Sequence, residues 1–120
     1  MLLVEDDRSL QVLGRKVLER NGYVVLVAGD GAAAVAMAAS EHPDLVLMDI
    51  SMPGMDGLEA TRIIKRTRPE LPVVAVTAHA MGGDRERTLE AGCDGFLTKP
   101  YLVPELLAVV ADQLRQLQPN

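Results

Sequence analysis

The sequence predicts an α/β domain in which a five-stranded parallel sheet carries helices on both faces. Three observations lead there. Short apolar runs alternate with helical stretches five times along the chain. The run Leu45-Val46-Leu47-Met48 is apolar throughout, as a strand buried on both faces must be, and it stops at Asp49 before a Pro/Gly turn, Ser51-Met52-Pro53-Gly54-Met55-Asp56-Gly57. The polar residues that interrupt the apolar runs fall at the ends of the strands, where open parallel sheets bind ligands. At 120 residues and 12.9 kDa the chain is long enough to bury a core, and residues 1–120 read as one domain.

Taken in order, Leu2-Leu3-Val4 is a short buried strand running into the acids Glu5-Asp6-Asp7. Ser9 and the two aspartates can cap the helix that follows. Its apolar positions Leu10, Leu13, Val17 and Leu18, with Gly14 between them, keep helical spacing, and Gly22 stops it. Tyr23 to Ala28 reads as the second strand. Asp30-Gly31 opens an alanine-rich helix that His42-Pro43 closes. After the Asp49 strand, a helix from about Gly57 to Thr67 partly buries Leu58, Ile63 and Ile64 and ends before Pro69. Pro72 to Thr77 is the fourth strand. Asp84 to Ala91 is a short polar helix approached through Gly82-Gly83, which predicts a mobile entry. Gly95-Phe96-Leu97-Thr98 is the fifth strand, left through Lys99-Pro100. The last helix starts near Pro104, with Val103, Leu107, Val110, Leu114 and Leu117 as its apolar stripe.

Composition narrows the function. Hydrophobic residues make up 48% with one Phe, two Tyr and no Trp, so the core is aliphatic. A net charge of −5 argues against a nucleic-acid surface, which needs a basic patch. The single cysteine, Cys93, excludes an internal disulfide and fits a reducing compartment. No apolar run is long enough to span a membrane, and no basic region precedes an apolar one at the N-terminus. The expectation is a cytoplasmic domain without membrane contact. Its start, almost directly on strand residues, is what a piece of a longer protein would show.

In a parallel sheet the strand C-termini share one edge, so Asp6, Asp7, Asp49, Thr77 and Lys99 converge there. Carboxylates held together resist ionising side by side, and a divalent cation resolves the conflict. All-oxygen ligands select a hard ion, Mg2+ (with Mn2+ as a substitute), which keeps several waters. A lysine and a hydroxyl opposite a metal-bound carboxylate suit phosphoryl transfer. Lys99 and the cation neutralise charge, Thr77 donates to a phosphoryl oxygen, and Asp49 is the nucleophile.

Glu5-Asp6-Asp7, Met48-Asp49 with Met52-Pro53 and Asp56-Gly57, Val76-Thr77-Ala78 and Lys99-Pro100 together resemble the receiver domains of two-component response regulators, over essentially the whole chain. The resemblance implies the flavodoxin-like strand order 2-1-3-4-5, for which a receiver protein is a standing example. It implies Asp49 as phosphoacceptor, Asp6 and Asp7 as metal-binding acids, and the backbone carbonyl of Ser51 as a further metal ligand. Thr77 and Lys99 would contact the phosphoryl group, and Phe96 would be the aromatic that follows Thr77. A cis bond at Lys99-Pro100 is implied as well. Ser51 and His79 are expected to border the phosphoryl site and tune its lifetime. The wording Thr77-Ala78-His79-Ala80-Met81, with Asp84-Arg85-Glu86 and Ala91-Gly92, is most similar to receivers of hybrid sensor histidine kinases. Implied partners are the dimerisation domain of a histidine kinase or a histidine phosphotransfer domain, with a phosphorylation-dependent homodimer left open. The only catalysis implied is the domain's own phosphorylation and dephosphorylation, with a response in the face of the fourth helix, fifth strand and fifth helix.

Singly, each residue has a plainer role. Asp49 could finish a strand, Asp6 and Asp7 could cap a helix, Lys99 could be solvated, Thr77 could be a strand former and Phe96 core. Their convergence on one edge sets the plainer roles aside. Three rivals remain on the sequence. A small phosphohydrolase would place a second acid where Ser51 stands. A receiver-like module that is never phosphorylated would not need the acids, Asp49, Thr77 and Lys99 intact. A flavin binder would carry a Ser/Thr/Gly-rich loop after the first strand.

Overall fold

The computed structural model describes residues 1–50, 57–78 and 84–116. The strands are β1 (Leu2–Val4), β2 (Leu26–Ala28), β3 (Val46–Asp49), β4 (Val73–Thr77) and β5 (Gly95–Thr98). The helices are α1 (Arg8–Arg20), α2 (Gly31–Ser40), α3 (Gly57–Thr67), α4 (Asp84–Ala91) and α5 (Val103–Gln116). All strand pairs are parallel and the order is β2-β1-β3-β4-β5.

The two-residue period of a strand divides the core into two layers. Leu2, Val4, Val46, Met48, Val73 and Ala75 face Ala34 and Ala38 of α2 and Ala60 and Ile64 of α3. Leu3, Leu47, Val74, Val76 and Leu97 point the other way, onto Leu18 of α1 and Leu106 and Val110 of α5. Both layers exclude water, which is why the strands read as unbroken apolar runs.

Local chemistry fixes the helix ends. Asp7 and Asp30 are N-caps, accepting from the backbone N–H of Leu10 at 3.0 Å and of Ala33 at 2.7 Å. At the end of α1, Gly22 (φ 91°) donates to the Glu19 carbonyl and Tyr23 donates to the Leu18 carbonyl, a Schellman turn. Exposed His42 (φ 49°) occupies the left-handed region just before Pro43, where α2 has ended.

Three expectations need correction. The second strand is shorter than Tyr23–Ala28, because only Leu26–Ala28 pairs with β1. Leu10 and Leu13 are 41% and 59% exposed, because α1 meets the sheet over Gly14, where a Cβ would lie 3.1 Å from Leu3 Cδ2. On α5 the buried row is Leu106, Val110 and Gln113, while Val103 is exposed. Gln113 takes a core position because its amide donates to the Asp94 carbonyl at 3.1 Å. The Gly82-Gly83 entry and Leu117 lie outside the described residues.

Candidate functional site

Parallel register assembles the site. Val4 of β1 pairs with Met48, Asp49 with Val76, and Thr77 with Thr98, so the residues that end or follow β1, β3, β4 and β5 share one edge. Parity then sorts them. Counted outward from Leu3, Leu47 and Leu97, which share a face, Glu5, Asp49 and Lys99 fall on the α1–α5 side. Thr77 and Phe96 fall with Ala75 on the opposite face.

Asp49 and Glu5 are only 4% and 5% exposed. Between them stands the Lys99 ammonium, 2.7 Å from Glu5 Oε1 and 3.1 Å from Asp49 Oδ2. Burial pushes the Lys99 pKa down, but its hydrogen bonds to Glu5 and Asp49 outweigh that and hold it above the ordinary lysine value. Burial raises the Glu5 carboxyl, with Lys99 opposing in part. Glu5 is also pinned elsewhere: Oε2 accepts from the Asp7 N–H at 3.2 Å, and its carbonyl accepts from Gln11 Nε2. The Lys99 N–H donates to the Thr77 carbonyl at 2.7 Å, and the Lys99–Pro100 bond is cis, as the resemblance implies.

Among the described residues, Glu5, Asp6 and Asp49 offer carboxylate oxygens within 4.8 Å of one another. An all-oxygen set of this kind fits a hard divalent cation. Asp7, expected as one of the acidic pair, is not in the group. Its carboxylate caps the α1 N-terminus, and the third acid of the group is Glu5. Register could have revealed this, because Leu3 pairs with Leu47 and two further residues on each strand lead to Glu5 and Asp49. Asp7→Ala is accordingly expected to lower stability by about 1 kcal/mol through loss of a helix cap, with divalent-cation affinity unchanged within twofold, about the error of a calorimetric titration.

Thr77 is fully buried, and Phe96 is half-buried with the Arg85 guanidinium 6.0 Å from its ring centroid. Ser51 and His79 lie outside the described residues. Beside the cluster, an apolar groove of about 350 Å³ runs between α1 and the β5–α5 connection, lined in part by Glu5, Leu10, Leu13, Lys99, Tyr101 and Val103. Cys93 is buried away from the site with its thiol 4.0 Å from the Thr61 hydroxyl. Burial raises its pKa from 9.0 to about 11. Below pH 9 the thiol is protonated folded or unfolded; between pH 9 and 11 only the unfolded chain ionises, so stability is lost as pH rises. Denaturant titrations across that window should show wild type losing on the order of 2 kcal/mol more than Cys93→Ser.

A family profile described as response regulator receiver domain matches residues 1–111. The chain belongs to that family. It is 40% identical over 120 residues to response regulator MprA of Mycobacterium avium (strain 104), covering 100% of this chain and 53% of that protein. MprA of Mycobacterium tuberculosis (strain ATCC 25618 / H37Rv) is also 40% identical, with 52% of its length covered. The chain thus spans about half the length of the curated relatives it matches. Among solved structures, a CheY-like response regulator receiver domain protein from Methanospirillum hungatei JF-1 superimposes with TM-score 0.91 at 30% identity, covering 96% of this chain and 92% of the other. The receiver domain of a sensor histidine kinase from Pseudomonas aeruginosa PAO1, solved with a magnesium ion in its active site cleft, gives 0.89 at 37% identity, with 95% of each chain covered. This chain is therefore a receiver domain of two-component signalling, a family whose members accept phosphoryl groups from histidine kinases or phosphotransfer partners and generally bind Mg2+ in an acidic pocket. Among the described residues, no helix is long and apolar enough to cross a membrane.

Proposed function

We propose that Asp49 takes a phosphoryl group from a phosphohistidine on a kinase dimerisation domain or a histidine phosphotransfer domain. The observation that carries this reading is the Lys99 ammonium lying against Asp49 at a sheet edge crowded with carboxylates. An Asp49 oxygen attacks phosphorus, the P–N bond breaks, and the imidazole nitrogen keeps the electron pair and takes a proton from solvent. Asp6 and Asp49 would hold Mg2+ (or Mn2+), which supplies neutralising charge for the phosphoryl oxygens when bound. Lys99 then moves its hydrogen bond from Asp49 to the incoming group, and Thr77 donates its hydroxyl to the same group. Phe96 follows Thr77, and the face of α4, β5 and α5 changes its population between two arrangements. Hydrolysis of the acyl phosphate resets the domain, and the identities of Ser51 and His79 would tune how long the phosphoryl group lasts.

Likeness to a sensor kinase's receiver at 37% identity supports a place in a hybrid kinase, whereas 40% identity to MprA supports a response regulator. In both cases the donor is a protein, and the groove joined to the site through Glu5 and Lys99 is where it would sit. Leu13→Arg is expected to slow phosphorylation by a donor domain at least tenfold, the size of effect seen when a buried anchor is lost, while the rate with acetyl phosphate stays unchanged. The reading as a whole is tested by intact-mass measurement after incubation with acetyl phosphate. One phosphoryl group should be gained with Mg2+ and none in chelator. Steady release of phosphate from small esters would point instead to a phosphohydrolase.

A further inference from the structure

We infer that α4 is a lever whose fulcrum is Asp94, the residue just before β5 at the sheet edge opposite Asp49. The inference rests on the phosphoacceptor reading above and says which end of α4 moves.

Asp94 ties α3, β4 and α5 to the start of β5. Its Oδ2 accepts from the Lys65 ammonium of α3 at 2.6 Å and from the Val73 N–H of β4 at 2.9 Å. Its own N–H donates to the Val73 carbonyl at 2.8 Å, and its carbonyl accepts from the buried Gln113 amide of α5. The end of α4 is locked onto the same node. Gly92 (φ 102°) lies over the Lys65 stem, where a Cβ would sit 3.2 Å from Lys65 Cγ. The Gly92 and Cys93 N–H groups donate to the Leu89 and Thr88 carbonyls, closing the helix. Thr88, Ala91 and Cys93 are all buried.

The other end is held differently. β4 and β5 are parallel, so α4 must carry the chain back from the edge where β4 ends to the edge where β5 starts. Its first turn therefore lies toward Asp49 and its last toward Asp94. Arg85 and Glu86, in that first turn, are exposed. Arg85 places its guanidinium 6.0 Å from the centroid of the Phe96 ring, a weak tie at an exposed site. A helix bolted at one end and exposed at the other tilts rather than slides. A population shift driven from the phosphorylation edge therefore swings the first turn and leaves Asp94 in place.

Spin labels measure the tilt. Labels at Glu86→Cys and Glu90→Cys sit about 9 Å and about 3 Å along the helix from Gly92, at 1.5 Å per residue. Each is paired with a label at Lys16→Cys on exposed α1 surface, in a Cys93→Ser background so that only introduced thiols react. Distances are read by double electron–electron resonance with Mg2+, before and after acetyl phosphate. The Glu86 distance should change about threefold more than the Glu90 distance. Equal changes would mean that α4 slides as a whole, and no change in phosphorylated protein would mean that it stays put. Either result overturns the inference. In Asp94→Ala the ratio should fall toward one, because the fulcrum is gone. Lys65→Met keeps the Val73 bonds and should move the ratio the same way, so it decides the matter if Asp94→Ala does not fold. A ratio unmoved in the folded variants would place the fulcrum elsewhere. Intact mass on every sample keeps the two readings apart. A wild-type domain that gains no phosphoryl group would refute the phosphoacceptor reading. The unphosphorylated variants then decide the fulcrum, since loss of Asp94 or Lys65 should broaden the Glu90 distance distribution, and an unchanged one would count against it.

Discussion

Lys99→Met is expected to lower stability in the absence of divalent cations by about 3–5 kcal/mol, the cost of removing one partner from a buried ion pair. The side chains of Glu5 and Asp49 are 7% and 5% exposed, and Lys99 is itself only 21% exposed. Without the ammonium, two buried carboxylates face each other, and water screens them little. Mg2+ should therefore raise the melting temperature of Lys99→Met more than that of wild type, because the cation replaces the lost positive charge. Phosphorylation should nevertheless be slowed at least a hundredfold, the scale of removing one group that stabilises transition-state charge. Tighter cation binding with slower chemistry is hard to obtain from general unfolding. Thermal melts with and without Mg2+, beside rates with acetyl phosphate, check it.

Gly57→Ala is expected to cost about 3 kcal/mol, at the upper end for overpacking, read from the denaturant midpoint. Gly57 opens α3 directly against the strand that carries Asp49. A Cβ there would lie 2.5 Å from the Asp49 carbonyl oxygen and 2.7 Å from Ile50 Cα. Both atoms are backbone and cannot rotate aside, so either α3 lifts away from the sheet or the end of β3 shifts. Either movement displaces Asp49 relative to Lys99, and phosphorylation should fall together with stability. Gly14→Ala is the control, because its Cβ meets the movable end of Leu3 at 3.1 Å and the added helix propensity offsets much of the crowding.

Most of the architecture was readable because each strand is bounded by residues with one local meaning. Asp30 caps α2, Gly22 ends α1, and the apolar run before Asp49 could only be a doubly covered strand. What escaped is tertiary. Helical spacing on α1 identifies an apolar side wider than the sheet can cover, and only the close approach at Gly14 decides that Leu10 and Leu13 stay outside. Gln113 holds a buried position because its amide donates to the Asp94 carbonyl, a partner that helical spacing does not reveal. In Glu5-Asp6-Asp7 three adjacent acids compete for two kinds of work, and composition cannot rank them. The pairing of β1 with β3 puts Glu5 beside Asp49, and the start of α1 claims Asp7. Asp49 and Lys99 were legible because each sits one step from a turn on a strand whose direction the alternating pattern had already set.

Site-resolved mass spectrometry of wild type and Asp49→Asn, each incubated with Mg2+ and acetyl phosphate or a phosphorylated donor domain, addresses the phosphoacceptor assignment most directly. The expected result is a single added phosphoryl group in wild type, on the peptide containing Asp49, and none in Asp49→Asn. An equal label in Asp49→Asn, or one that maps to another peptide, would contradict it.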